Sequence, residues 1–136
     1  MPDDGPLPFL GLDFVYTPSR DVPGDLAYFT EVLGGRVRFS LDAMGTRVAG
    51  IDLADGSPLV LLTDHLGGER PILVFRVADL AVALTELGAR GWKREHTFEI
   101  PHGPCCSFTT PGGHRIALYQ LTRPEAAAHF DGRRDF

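Results

Sequence analysis

The sequence predicts an α+β fold made of two tandem βαβββ units, and three observations support it. The order strand, helix, three strands can be followed twice along the 136 residues. Each predicted helix follows a residue that is preferred as a helix N-cap, Asp21 or Ser19 in the first unit and Asp79 in the second. The chain then closes on a predicted hairpin at 105–120, in which TPGG (110–113) supplies a Pro-Gly turn.

The first unit opens with a strand at 9–16, in which Leu12, Phe14 and Tyr16 share one face. A helix follows Asp21, because apolar residues recur at helical spacing until a Gly-Gly pair ends the pattern. Three further strands, at 36–41, 46–53 and 59–63, complete this unit.

The second unit follows a polar, glycine-containing connector and repeats the same order. Its first strand, 71–77, is almost entirely apolar, as expected of a strand buried on both faces. A helix begins after Asp79, and the next strand is predicted at 92–98. In the last strand of the hairpin, alternation places Arg115, Ala117 and Tyr119 on one face and the aliphatic residues between them on the other.

Composition limits the classes of function. Hydrophobic residues make up 43% of the chain and charged residues 23%, which is ordinary for a globular protein of one domain. The formal net charge of −5 and the scattered basic residues argue against a nucleic-acid partner. No apolar run approaches the roughly 20 residues of a membrane span, and the start MPDDGPLPFL has no secretory pattern. We therefore expect a cytoplasmic protein without a membrane partner.

Two stretches carry a family resemblance. The segment SFTTPGGHRIALYQ (107–120) resembles the closing hairpin of the vicinal oxygen chelate superfamily, which includes glyoxalase I, bleomycin-binding proteins, fosfomycin-modifying enzymes and extradiol dioxygenases. The segment YFTEVLGG (28–35) resembles the end of that family's first helix. The hairpin departs from the family pattern at Thr110, His114 and Ala117, which stand where the family has Asp, Asn and Glu.

The resemblance implies that the curved mixed sheets of the two units enclose one cavity within a single domain, 1–136. Unit one then spans about 9–63, the connector 64–70, unit two about 71–121, and a C-terminal tail 122–136. The charged end of that tail, 131–136, is expected to fray rather than to pack. The resemblance also implies a homodimer.

Metal-dependent relatives hold their ion with residues on the first and last strands of each unit. By resemblance these positions fall at Phe14, near Leu61, at Ile72 and at Ala117. None of these side chains has a nitrogen, oxygen or thiolate lone pair for a divalent cation. The sequence therefore predicts no metal at the usual site and no cofactor. A non-standard metal site would need other donors, and the candidates are His96, His102, Cys105, Cys106 and His114. For each histidine, a position on the surface or in a turn is the preferred interpretation.

The two cysteines, Cys105 and Cys106, are adjacent in a predicted strand. Neighbouring strand residues point to opposite faces, so a disulfide between them would be strained. Two small buried hydrophobic residues are the favoured interpretation. The alternative is a thiolate–imidazole pair with His102 or His96.

With apolar metal positions, the predicted cavity suits a flat, partly apolar organic molecule. The leading hypothesis is metal-free binding of such a small-molecule ligand, of the bleomycin-resistance type. The alternatives are a glyoxalase- or dioxygenase-like enzyme with a non-standard metal site or metal-free acid–base chemistry, and an interaction protein with a filled cavity. Arg115 and Arg76 are placed at the cavity edges, Arg115 as a partner for a carboxylate or phosphate. The predicted ligand-binding residues are Phe14, Tyr16, Ile72, Val74, Trp92, Phe98, His102, Arg115, Ala117 and Tyr119.

Overall fold

The computed structural model describes residues 5–136, and within them it contains eight strands and three α-helices. The strands are β1 (Gly11–Pro18), β2 (Arg36–Ala43), β3 (Thr46–Asp52), β4 (Leu59–Thr63), β5 (Ile72–Val77), β6 (His96–Ile100), β7 (Gly103–Thr109) and β8 (Arg115–Gln120). The helices are α1 (Val22–Ala27), α2 (Leu80–Ala89) and α3 (Ala126–Phe130). The predicted α+β fold with two βαβββ units is confirmed. None of the helices in this range is long and apolar enough to cross a membrane.

The eight strands form one mixed sheet in the order β2-β3-β4-β1-β5-β8-β7-β6. The two units meet at the centre, where β1 pairs antiparallel with β5. Within each unit the first strand pairs parallel with the last, β1 with β4 and β5 with β8. All eight strands contribute residues to the wall of a single cavity, so the sheet curves around it as predicted.

The first helix begins where predicted but changes form partway. The side chain of Asp21 accepts a hydrogen bond from the Gly24 amide at 3.1 Å, which caps α1. After Ala27 the predicted α-helix continues as a π-helical turn, Tyr28–Val32. The Thr30 hydroxyl donates to the carbonyl of Leu26 at 2.9 Å, and this bond competes with the regular α-helical ladder.

The helices α1 and α2 pack on the convex side of the sheet, opposite the cavity. α1 lies on a cluster that includes Val22, Leu26 and Ile51. α2 lies on a second cluster, to which Leu118 of β8 and Cys106 of β7 belong. The alternation predicted for β8 is therefore confirmed. Ile116 and Leu118 face α2, and the other face lines the cavity with Arg115, Ala117 and Tyr119.

The strand predicted at 92–98 begins later in the structure, because Trp92 is hydrogen-bonded to the last turn of α2. The Trp92 amide donates to the carbonyl of Leu87 at 3.1 Å. Its indole packs edge-on against Phe108, with ring centroids 5.5 Å apart. Pairing with β7 then starts only at His96, opposite Ser107. The predicted start of this strand was wrong, because the contact between Trp92 and Phe108 keeps Trp92 out of the strand.

The prediction of a frayed C-terminal tail was also wrong. Residues 132–136 lie along the outer edge of β2, where Ser40 and Arg134 form a parallel bridge. The Ser40 amide donates to the carbonyl of Arg133 at 2.8 Å, and the Asp135 amide donates to the carbonyl of Ser40 at 2.7 Å. The tail thus satisfies the open hydrogen-bonding groups of an edge strand.

Candidate functional site

The concave face of the sheet encloses a cavity of about 1000 Å³. His65 and Leu66 of the connector and Ala127 and Phe130 of α3 also line this cavity, which is open to solvent. The cavity is not filled by side chains, so the premise of the filled-cavity hypothesis is not met. Nine of the ten predicted ligand-binding residues line it: Phe14, Tyr16, Ile72, Val74, Phe98, His102, Arg115, Ala117 and Tyr119. Trp92 does not, because it packs beneath α2.

The floor of the cavity is apolar because of the strand register. Phe14 of β1 is paired with Val74 of β5, which is paired in turn with Ala117 of β8. The Phe14 ring lies 5.4 Å from the His102 ring and 5.8 Å from the Tyr119 ring, measured between centroids. These residues form a hydrocarbon and aromatic surface of the kind that binds a flat apolar body.

One end of the cavity carries a polar cluster of Asp13, Arg76 and Tyr119. The Tyr119 hydroxyl donates a hydrogen bond to Oδ2 of Asp13, and Nε of Arg76 lies 3.7 Å from the same oxygen. Burial raises the pKa of the Tyr119 phenol, and the hydrogen bond to Asp13 raises it further. Tyr119 is therefore a neutral hydrogen-bond donor at physiological pH.

Asp13 reaches this cluster because of a β-bulge that sequence reasoning missed. Regular alternation would place Asp13 on the face opposite Phe14. The pairing of β1 with β5 shifts by one residue between Leu12 and Phe14. Asp13 is the extra residue at that shift, and it lines the cavity. Such bulges redirect a side chain without a marker in the sequence pattern.

His102 lies on the turn between β6 and β7, where it faces the same polar end. Its backbone carbonyl accepts hydrogen bonds from the Thr122 and Arg123 amides, both at 3.0 Å, which fixes the turn against the chain that follows β8. Burial lowers the pKa of the imidazole, and the Arg123 charge acts in the same direction against the opposing effect of Asp13. His102 is thus a neutral imidazole at neutral pH.

The opposite end holds a hydrogen-bonded group that involves the connector. The Tyr16 hydroxyl lies 3.0 Å and 3.2 Å from the two ring nitrogens of His65. The Thr63 hydroxyl lies 2.7 Å from Nδ1 of that ring. His65 could not be singled out by sequence analysis, because a histidine in a polar connector has no distinguishing pattern. Its place at the cavity follows from the path of the connector across the end of β1.

Arg115 lines the cavity as predicted, but its Nη1 is engaged by the chain itself. This nitrogen donates to the carbonyl of Gly67 at 2.7 Å and to the carbonyl of Arg70 at 3.0 Å. Arg115 therefore fastens the connector to β8.

The residues at the family's metal positions do not fit a divalent cation. Phe14, Leu61, Ile72 and Ala117 all line the cavity, and their hydrocarbon side chains supply no ligand atom. Across residues 5–136, no three histidine, cysteine, aspartate or glutamate side chains come together in a way that could hold a metal ion. The donors named for a non-standard site are therefore not assembled into one.

The adjacent cysteines are both buried, on opposite sides of the sheet. Cys105 lies on the cavity side and Cys106 on the α2 side. Burial raises the pKa of Cys105 to about 12 and also raises that of Cys106. Both thiols are therefore protonated near neutral pH, which argues against the thiolate–imidazole pair.

A thiol assay tests this protonation and burial. Ellman's reagent at pH 8 is expected to react with both cysteines at least about a hundredfold more slowly in the native protein than in denaturant, because only the exposed thiolate attacks. The two thiols of the unfolded chain serve as the internal control. A single thiol that reacts rapidly in the native protein would instead identify an activated nucleophile at the cavity.

The chain has the vicinal oxygen chelate fold, as its similarity to solved structures shows. The methylmalonyl-CoA epimerase of Mycobacterium tuberculosis matches with a TM-score of 0.72 and 19% identity over 94% of this chain and 97% of that one. A second methylmalonyl-CoA epimerase matches with a TM-score of 0.70 and 16% identity over 88% of this chain and 100% of that one.

A Streptomyces coelicolor methylmalonyl-CoA epimerase variant, in complex with 2-nitronate-propionyl-CoA, matches with a TM-score of 0.65 and 15% identity over 85% of this chain and 99% of that one. No protein-family model matches the chain, and no curated protein sequence matches it significantly. At these identities the similarity establishes the fold, and the site has to be interpreted from its own residues.

Proposed function

We propose that this protein binds a small organic molecule with a flat aromatic or apolar body, without a metal ion, as sequestering proteins of the bleomycin-resistance type do. One observation carries the proposal: an open cavity of about 1000 Å³ has hydrocarbon side chains at all four family metal positions. Apolar pockets of this size with a few convergent polar groups are typical of small-molecule sites.

The energetics indicate what such a ligand needs. An aromatic body that buries roughly 200 Å² gains about 5 kcal/mol from transfer out of water. The loss of translational and rotational freedom on binding costs at least about 4 kcal/mol. Contact of one ring with the Phe14, Val74 and Ala117 floor alone therefore gives weak binding. Measurable binding requires a larger aromatic body that the cavity walls also cover, and polar contacts at an end of the cavity strengthen it further.

A structural neighbour offers further support. A Streptomyces coelicolor protein of this fold is found in complex with 2-nitronate-propionyl-CoA, an organic ligand. This supports a ligand-binding role for the fold, and the apolar floor of the present cavity sets the class of molecule that we propose here.

The neutral dye N-phenyl-1-naphthylamine provides a direct test. We expect its fluorescence to rise on one-site binding, and we expect Ala117→Phe to weaken binding at least about tenfold, because the new ring occupies the cavity above the floor. Ala117 is only 3% exposed and lies on the cavity side of β8. Fluorescence titration gives the dissociation constant of each protein.

The matched control is Ala81→Phe, which adds the same ring to an exposed position of α2. This variant is expected to bind the dye as the wild type does. Circular dichroism checks that both variants are folded. If the dye fails to bind the wild type, or if both variants bind equally well, the proposal is wrong.

Metal-free acid–base catalysis is a second candidate, and the polar end of the cavity favours it. Asp13 can accept a proton, the protonated phenol of Tyr119 can donate one, and His102 is a neutral imidazole beside them. The two candidate functions are separated by incubating a ligand found by screening with the protein and recovering it. A binding protein returns the ligand unchanged, whereas an enzyme returns a product.

The homodimer and the cytoplasmic location stay predictions.

A further inference from the structure

Three arginines line the cavity, and their guanidinium groups differ in how they are engaged. Arg38 uses Nε and Nη2 on the carboxylate of Asp52, at 3.1 Å and 2.9 Å. Arg115 uses Nη1 on two carbonyls of the connector. Arg76 has a buried Nε that finds no hydrogen-bond partner within residues 5–136. Of the three side chains, that of Arg76 is therefore the one that makes no hydrogen bond within residues 5–136.

Asp13 is the charged neighbour of Arg76, and it forms an ion pair with the guanidinium but no hydrogen bond. Oδ2 of Asp13 lies 3.7 Å from Nε, which is beyond hydrogen-bonding distance. That oxygen already accepts the hydrogen bond from Tyr119. The buried Nε is itself out of reach from the cavity. The Nη1 and Nη2 groups of the same guanidinium also make no hydrogen bond within residues 5–136, and 38% of the Arg76 side chain is exposed. An acceptor that enters the cavity can therefore bind to these two charged donor groups.

The strand register fixes how far this donor lies from the apolar floor. Arg76 and Tyr119 are paired across β5 and β8, two residues along from the pair of Val74 and Ala117. Two residues of a strand span about 7 Å. A ligand can therefore rest its apolar body on the floor and extend an oxygen group to Arg76.

We propose that Arg76 binds the anionic oxygen group, a carboxylate or sulfonate, of an aromatic acid whose ring system lies on the Phe14, Val74 and Ala117 floor. Guanidinium is suited to this role, because its planar donors match the paired oxygens of such acids. This inference rests on the proposed function and adds the chemical class of the ligand.

Two dyes that differ only in one sulfonate test the inference. 8-Anilinonaphthalene-1-sulfonate is the acid, and N-phenyl-1-naphthylamine is the same molecule without the sulfonate. We expect the wild type to bind the acid more tightly than the neutral dye. We expect Arg76→Met to weaken binding of the acid at least about tenfold and to change binding of the neutral dye by less than twofold.

Arg38→Met is the matched control, because it removes one positive charge from the same cavity wall, but one whose guanidinium is already paired with the Asp52 carboxylate. It is expected to change the affinity for the acid by less than threefold. Arg76→Met leaves the Asp13 carboxylate without a neighbouring cation. The double variant D13N/R76M removes that unpaired charge as well, and the same loss of affinity for the acid is expected.

The outcomes separate the two proposals. If the neutral dye binds but Arg76→Met leaves the affinity for the acid unchanged, or if Arg38→Met lowers it equally, the role of Arg76 is wrong and the cavity proposal stands. If neither dye binds the wild type, both proposals are wrong.

Discussion

Replacing Gly103 by alanine is expected to destabilise the protein by about 3 kcal/mol or more. Gly103 begins β7 with a φ of +154°, a backbone conformation that side-chain-bearing residues rarely adopt. A Cβ atom there would collide with the backbone carbonyl oxygen of Gln120 and lie 2.9 Å from the Thr122 hydroxyl. Because the obstacle is backbone, the start of β7 would have to move away from β8.

Urea unfolding followed by circular dichroism measures this effect, and Gly88→Ala is its control. Gly88 lies in α2, and open space surrounds the position of its Cβ. The same substitution there is expected to be neutral or to stabilise the protein by up to about 1 kcal/mol, since alanine is the better helix former. Similar free energies of unfolding for the two variants would refute the close-packing argument.

A shift of β7 would also displace His102, which precedes Gly103 and whose carbonyl is held by the chain after β8. Gly103→Ala is therefore expected to disturb the polar end of the cavity as well as the stability. Gly88→Ala lies outside the cavity wall and is expected to leave the cavity intact.

Removal of residues 131–136 is expected to lower the free energy of unfolding by about 3 kcal/mol. The truncation removes Phe136, which packs against the α1 cluster. It also takes away the partner of the fully buried Ser40 hydroxyl, which donates to the carbonyl of Phe136 at 2.8 Å. The edge of β2 would then be open to water and to pairing with other chains.

Thermal and urea unfolding of the truncated chain test this prediction, with Arg134→Ala as the control. Arg134 is exposed and contributes its backbone to the bridge with Ser40. Loss of its side chain alone is expected to change stability by less than about 0.5 kcal/mol. A truncated protein as stable as the full chain would mean that the tail does not support the edge of β2.

Much of the candidate site could be predicted from local patterns. A strand alternates its side chains with a period of two whatever its surroundings, so the cavity-facing side of β8 was predictable from Arg115, Ala117 and Tyr119. Helix starts were predictable for the same kind of reason, because the Asp79 cap acts on the Val82 amide only three residues away.

The parts that were missed depend on residues far apart in the chain. Asp13 enters the cavity because of a register shift against β5 and is held by Tyr119, 106 positions along the sequence. Trp92 leaves the predicted strand because α2 and Phe108 hold it. The tail pairs with Ser40, which lies more than ninety residues earlier.

The sequence by itself therefore determined the strand and helix order, the alternation of side chains in the regular strands such as β8, and the apolar character of the metal positions, because these follow from short-range geometry and side-chain chemistry. The tertiary structure decided which charged groups meet at the cavity. Arg38, Arg76 and Arg115 are chemically equivalent in the sequence. The positions of Asp52 and of the connector carbonyls engage Arg38 and Arg115 in hydrogen bonds, whereas Asp13 lies too far from Arg76 to accept one. Hydrogen bonding is decided by distances of a few tenths of an ångström, and those distances are set by the packing of the whole sheet.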